Sequence, residues 1–153
     1  MLSAKLIQMI EDHADTLAKS VVRQLRTSAR LPALGRLPEG ELRDRALDIL
    51  NRLGHWLAES DEREIASHFG EVGRRRAEQQ IPLHEVIYGL QLLKRRILHF
   101  ARDQGIDLTT LQLYAEEELE HQVGIFFDTV IYEVARAYEQ TLRDRMALLT
   151  AVS

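Results

Sequence analysis

The chain of 153 residues has no cysteine, three prolines, eight glycines, one tryptophan and few other aromatics. Each shortage excludes something. Without cysteine there can be no disulfide, no thiol chemistry and no cysteine metal cluster, and a cytoplasmic location is expected. No window approaches the roughly 18 consecutive apolar residues of a membrane-spanning helix, so no membrane crossing is expected. The opening MLSAKLIQMIEDHADTLAK carries acidic residues and lacks both a long apolar core and a small-residue cleavage site, which is unlike a signal peptide. Neither charge sign dominates: 20 Lys and Arg against 24 Asp and Glu give a formal charge of −4. That balance argues against a dedicated nucleic-acid binder, which shows a basic surplus or stripe. There is also no Gly-rich phosphate loop, Ser-His-Asp pattern or nucleophile elbow, so no enzymatic activity is expected within these residues.

What is present is helical periodicity. At this length the chain is one domain's worth, able to bury roughly two-thirds of its unfolded surface without staples. Ser3 is placed to cap a first helix with a stripe of Leu6, Met9, Ile10, His13, Leu17, Val21 and Leu25, ending before Pro32. RLPALGRLPEGE reads as a loop, and the next helix turns Leu42, Ala46, Ile49, Leu50, Leu53 and Trp56 inward. Ser60 and Asp61 offer a cap to a third, polar helix over residues 61–79. Its Gly70 and Gly73 cost about 1 kcal/mol each relative to Ala, making it the weakest element.

The segment from Glu71 to Leu98 is the most informative. Pro82 has its φ preset and no N–H, so it suits a first helical turn, while Ile81 before it is pushed out of helical space. One helix therefore ends near Gln79 and another starts at Pro82, with Leu83, Val86, Ile87, Leu90, Leu93 and Ile97 on one face. That helix should end near Gln104 with Gly105 as a left-handed stop. Asp107 or Thr109 should then start the last one. From Ala115 to Thr150 only Gly124 interrupts it, and such a helix is roughly 54 Å long. A domain of this size has a radius of gyration of only about 15 Å. The end must protrude or lie on another chain, yet Leu119, Val123, Phe126, Phe127, Val130, Ile131, Val134, Tyr138, Leu142, Met146 and Leu149 continue an apolar seam. This predicts an all-α chain that dimerises through a helical bundle.

Candidate chemistry is sparse. Glu118-x-x-His121 has the Glu-x-x-His spacing of di-iron helical bundles, but its nearest counterpart, Glu64 to His68, is spaced by four on a polar helix. A solvated acidic face is the expected reading, with no metal. The six histidines are scattered, with no pair of ligands on one turn, and His13, His55 and His99 beside apolar stripes read as partly buried structural residues. Arg74, Arg75 and Arg76, like Lys94, Arg95 and Arg96, read as solvated faces near or around helices.

The Arg76 to Arg96 block, RAEQQIPLHEVIYGLQLLKRR, resembles the sensor-globin segment in which a haem-ligating His is followed by an Ile/Leu-Pro step and an apolar helix carrying a Gly. Ile81-Pro82 and Gly89 set the register, and Arg76 then occupies the haem-ligand position. A guanidinium has no lone pair to give iron. The chain is more similar to the RsbR/RsbRD N-terminal family of non-haem, globin-like sensor domains, through IEDHADTLAKSVVRQLR, LPEGELRDRALDILNRLGHWL and the Arg76 to Arg96 block. The resemblance implies a globin-like, all-α input domain without a cofactor. It implies that the last two helices pair as a four-helix bundle in a homodimer and drive an attached output module.

On this reading residues 1–134 form the sensory domain and 135–153 a helical signalling linker. Ile87, Leu90, Phe126, Val130, Val134 and Tyr138 are the expected dimer interface, and Phe69, Tyr88 and Leu92 line or fill a pocket for a small apolar ligand. The terminal RDRMALLTAVS is similar to the run that precedes the phospho-accepting His of sensor kinases, so a histidine kinase is the expected output module. Two alternatives stand beside it. One is a stressosome-type RsbR co-antagonist scaffold, and the other a ligand- or haem-binding globin sensor using His68 or His84.

Overall fold

A computed structural model describes residues 1–104 and 109–152. Among the described residues seven α-helices follow in order: α1 (Ala4–Asp12), α2 (Ala14–Thr27), α3 (Glu39–Leu50), α4 (Leu53–Ala58), α5 (Glu62–Glu78), α6 (Leu83–Gln104) and α7 (Thr110–Val152). A 3₁₀ turn, Leu34–Arg36, lies in the proline-rich loop between α2 and α3. No strand occurs among the described residues, so the all-α expectation holds. None of their helices is long and apolar enough to cross a membrane.

Two of the expected helices are each divided. The first breaks at His13, where φ of −109° and ψ of 21° leave helical space, and the His13 imidazole Nδ1 lies 2.8 Å from the Met9 carbonyl. His13 is exposed, so the stripe that included it belongs to two helices. Ser3 does not cap α1 with its side chain. It is fully buried, its N–H donating to Glu118 at 2.7 Å and its hydroxyl to Gln122, which ties the start of the chain to α7. The second division separates α3 from α4, although all six of the expected inward residues from Leu42 to Trp56 are buried.

The expected cap of α5 is Asp61, whose carboxylate accepts the Glu64 N–H at 2.8 Å; the Ser60 hydroxyl turns back to the Trp56 carbonyl. At the other end the chain turns as Pro82 demands. Gln80 adopts a φ of 60°, and the Ile81 N–H returns to the Arg76 carbonyl at 3.0 Å, a left-handed helix stop built on a residue with a side chain. Pro82 then offers its carbonyl to Glu85 and Val86 to open α6. Thr109 caps α7, its hydroxyl accepting the Gln112 N–H; the expected stop at Gly105 and the alternative start at Asp107 lie outside the described residues.

Helix α5, expected to be weak, makes the most extensive interhelical contact among the described residues, against α7. Gly73 is the reason. A Cβ at Gly73 would lie 2.3 Å from the Val134 carbonyl oxygen and 3.1 Å from the Tyr138 nitrogen, so only glycine permits this approach. At Gly70 a Cβ would meet only Ala137, at an ordinary 3.8 Å.

Two substitutions on one helix should therefore have opposite signs. Gly70→Ala is expected to raise stability by up to about 1 kcal/mol through helix propensity. Gly73→Ala should lower it by about 1–3 kcal/mol, because α5 and α7 must separate. Urea unfolding of the two variants checks both.

Candidate functional site

Three polar side chains are buried among the described residues: Ser3, Arg76 and Glu85. One of them, Arg76, borders an apolar cavity. It has a volume of about 70 Å³ and lies between α2, α3, α5 and α6, with walls that include Leu25, Leu34, Ile49, Phe69, Val72, Leu90 and Leu93. Arg76 reaches its edge. The Arg76 guanidinium is 4% exposed and its Nη1 donates to Glu41 Oε1 and to Gln79 Oε1, both at 2.8 Å.

Glu41 is the hub of this group. Its Oε1 also accepts from Arg75 Nε at 2.6 Å and Gln79 Nε2 at 3.0 Å. The Arg75 hydrogen bond, followed by those from Arg76 and Gln79, outweighs burial and holds the carboxyl down at about 2, against an ordinary 4.5. Burial pulls the Arg76 guanidinium below its ordinary value while Glu41 pushes it back up. A cation so enclosed is stable only beside its anion.

Glu85 holds the turn that carries Leu34, one of the residues lining the cavity. From the first turn of α6 its carboxylate accepts the N–H groups of Ala33 and Leu34 at 2.9 and 3.0 Å, seating the 3₁₀ turn on the helix. At Gly89, one turn on, a Cβ would come within 2.7 Å of Leu34 Cδ2. The break itself is fastened to α7: the buried Tyr138 hydroxyl donates to the Ile81 carbonyl at 2.6 Å, and burial pushes that phenol above its ordinary value.

The sequence-predicted pocket residues do not come together. Phe69 lines the cavity, packed against Trp56, His68 and Phe126. Tyr88 is half-buried against the core, with the guanidiniums of Arg30 and Arg95 near its ring, and Leu92, also half-buried, lines a separate groove with Arg95 and Arg96. Of the expected interface residues, Phe126, Val130, Val134 and Tyr138 are buried inside the protomer itself. Another chain could reach them only by displacing this chain's own helices. Ile87 and Leu90 are half-buried, Leu90 in the cavity wall.

The other candidates have local roles. His68 is bound to Asp48 and lies tilted against the Trp56 ring, His55 bridges Glu59 and Glu64, and His99 pairs with Asp103. His84 and His121 are exposed, and Glu118 of the Glu-x-x-His pair is taken by Ser3. No three carboxylate or imidazole groups among the described residues gather as a metal site. The basic runs are divided: Arg74 pairs with Glu71, Arg75 and Arg76 with Glu41, and Arg96 donates to Ser20. Sequence reasoning missed Glu41 and Glu85. Both read as ordinary first-turn acids complementing a helix dipole, and only the three-dimensional arrangement shows what they hold.

Comparison with known proteins gives one family. The model of the RsbT co-antagonist protein rsbRD N-terminal domain matches residues 15–151. No curated protein and no solved structure matches.

The Glu41 hub makes stability pH-dependent with a definite sign. Its folded pKa lies below the unfolded one, so its contribution is complete above about 4.5 and is lost as the pH falls towards about 2. The Glu41→Gln variant should lose about 3 kcal/mol at pH 7, because Arg76 stays buried without an anion. It should also show a flatter fall in melting temperature between pH 4.5 and pH 2 than the unsubstituted chain. Thermal melts monitored by circular dichroism test both statements.

Proposed function

Because the chain belongs to the family of RsbT co-antagonist protein rsbRD N-terminal domains, we propose that it is a haem-free sensory input and dimerisation domain of a bacterial, cytoplasmic signal-transduction protein. It works by coupling rather than by catalysis. The observation that carries this reading is the path of α7. Helix α7 is locked to α5 at Gly73 and to the Ile81-Pro82 break through Tyr138, and Tyr138 is its last buried residue. The helix then continues to Val152 with Leu142 and Met146 exposed at 41% and 65%. A change in packing at the cavity is felt at Arg76, five residues before Ile81, and reaches α7 where it leaves the body. Paired α7 helices would pass a small shift to an output module.

The site's chemistry supports operation without haem. Arg76 offers no lone pair, no histidine lines the cavity, and its 70 Å³ is well below the roughly 300–1,000 Å³ of usual small-molecule sites. At about half the volume of an apolar cavity that takes benzene, roughly 150 Å³, the space leaves little room for an apolar ligand. A histidine kinase is the output module we favour, from the likeness of RDRMALLTAVS to the run before a phospho-accepting His. The second reading, a stressosome-type scaffold, is favoured by the matched family being described as an RsbT co-antagonist. The residues that follow Ser153 in the gene separate these: His-Glu-Leu-Arg supports the kinase, a phosphorylatable sulfate-transporter-like domain the scaffold.

Since the chain has no cysteine, Met146→Cys gives a single attachment point for a spin label. Pulsed electron resonance should find one short inter-protomer distance, and sedimentation should find a dimer. A monomer at high micromolar concentration, or a Soret band after incubation with haem, would contradict the proposal.

A further inference from the structure

Helix α5 lies along α7, but its backbone hardly meets those of α3 and α4 among the described residues. Side chains span the gap instead. Arg75 and Arg76 reach Glu41 on α3, His68 reaches Asp48 on α3, and Glu64 reaches His55 on α4. A polar groove of about 780 Å³, with Glu41, Arg45, Asp48, His68 and Arg75 in its walls, opens between α3 and α5. Three of these bridges do not require an imidazolium. A guanidinium is always charged, and His68 meets its carboxylate through Nε2 alone, from which a neutral ring can donate.

His55 is different. Its Nδ1 lies 3.3 Å from Glu59 Oε2, and its Nε2 lies 2.6 and 2.9 Å from the two oxygens of Glu64. An ionised carboxylate only accepts and a neutral imidazole has a single N–H, so both contacts are hydrogen bonds only while His55 is charged. The same residue closes the corner with its backbone, its carbonyl accepting the Glu59 and Ser60 N–H groups, each at 2.9 Å. Glu64 first, and then Glu59, push the imidazole above its ordinary 6.5, against desolvation and the charge of Arg52 at the start of α4. The neighbouring helices direct their groups elsewhere. Glu11 of α1 accepts the Gly54 N–H, Asp48 of α3 takes His68, and α7 presents the Phe126 ring to Trp56.

We propose that Glu59, His55 and Glu64 form a proton-operated clasp across the α4–α5 corner, closed when His55 is charged and releasing one carboxylate when it is neutral. With the remaining proton on Nε2, Glu59 is let go; with it on Nδ1, Glu64 is let go and α5 loses its bond to α4. The neighbouring Trp56 carries the change inward, packing on Phe69 of α5 at 5.0 Å and stacking on Phe126 of α7 at 5.9 Å. Because folding favours the imidazolium, the clasp contributes fully below about 6.5, and its contribution is lost as the pH rises through the higher folded value. Proton concentration is then an input that needs no ligand in the cavity. The clasp stands on the geometry of this corner and depends on neither the dimer nor the output module.

The single tryptophan reports on it, since the Trp56 and His55 ring centres are 5.3 Å apart and an imidazolium quenches indole emission. His68 lies as near, at 4.9 Å. In a His68→Gln background the emission should therefore titrate in one step, with a midpoint above 6.5, that His55→Gln abolishes. Glu59→Gln with Glu64→Gln should keep the step and move its midpoint down towards 6.5. Proton NMR of the His55 ring gives the same midpoint in the unsubstituted chain, with His68 in place. Amide exchange there, corrected for its intrinsic pH dependence, should show the Ser60 and Ile65 N–H groups losing protection through that midpoint. A midpoint unmoved by removal of both carboxylates overturns the clasp. Protection of Ser60 and Ile65 that ignores the titration overturns its control of the corner.

Discussion

The fold depends on how closely α5 and α7 approach. With no side chain at Gly73, the backbone of α5 comes against the Val134 carbonyl, and that contact fixes where the long helix lies across the body. Tyr138, four residues on, is then in reach of the Ile81 carbonyl. The break between α5 and α6, the end of α5 carrying Arg76, and the exit of α7 are thereby parts of one fastening. Widening the first contact would carry the Tyr138 hydroxyl away from its acceptor and leave a buried carbonyl unsatisfied.

Around this fastening the buried polar groups are few and each has a structural purpose. Glu85 satisfies two backbone N–H groups of the 3₁₀ turn, Arg76 joins the end of α5 to the start of α3 through Glu41, and Ser3 ties the first residues to α7. None is left without a partner: no buried side-chain nitrogen or oxygen among the described residues lacks a hydrogen bond. What looks at first like a ligand site is thus largely occupied by the protein's own side chains, with a small apolar space remaining.

The sequence revealed the elements better than their contacts. Periodicity found the helices and the inward faces of α2, α3 and α4, and Pro82 placed the α5–α6 break, because these are local preferences written in spacing. It did not reveal the division at His13, where an apolar stripe runs continuously through a backbone kink. The glycines of α5 were read by their cost in an isolated helix, since the carbonyl that requires Gly73 lies more than sixty residues away. The α7 seam was legible as apolar but not as internal: Phe126 and Val130 have the same spacing whether they face α5 or a second chain. For the candidate site, Arg76 stood out by comparison with a ligand position. Glu41, which makes its burial tolerable, did not.

The position of Tyr138 as the last buried residue of α7 also has a mechanical meaning. Beyond it the helix runs from residue 139 to Val152, about 20 Å of rod at 1.5 Å per residue. Held at one end, such a rod is a lever with its fulcrum at the Tyr138–Ile81 bond. A tilt of about 5° at the fulcrum sweeps the tip through about 2 Å, the scale of helix displacement that switching proteins use. A shift of a fraction of an ångström where α7 leaves the body is thereby enlarged at Val152 by the length of the rod alone.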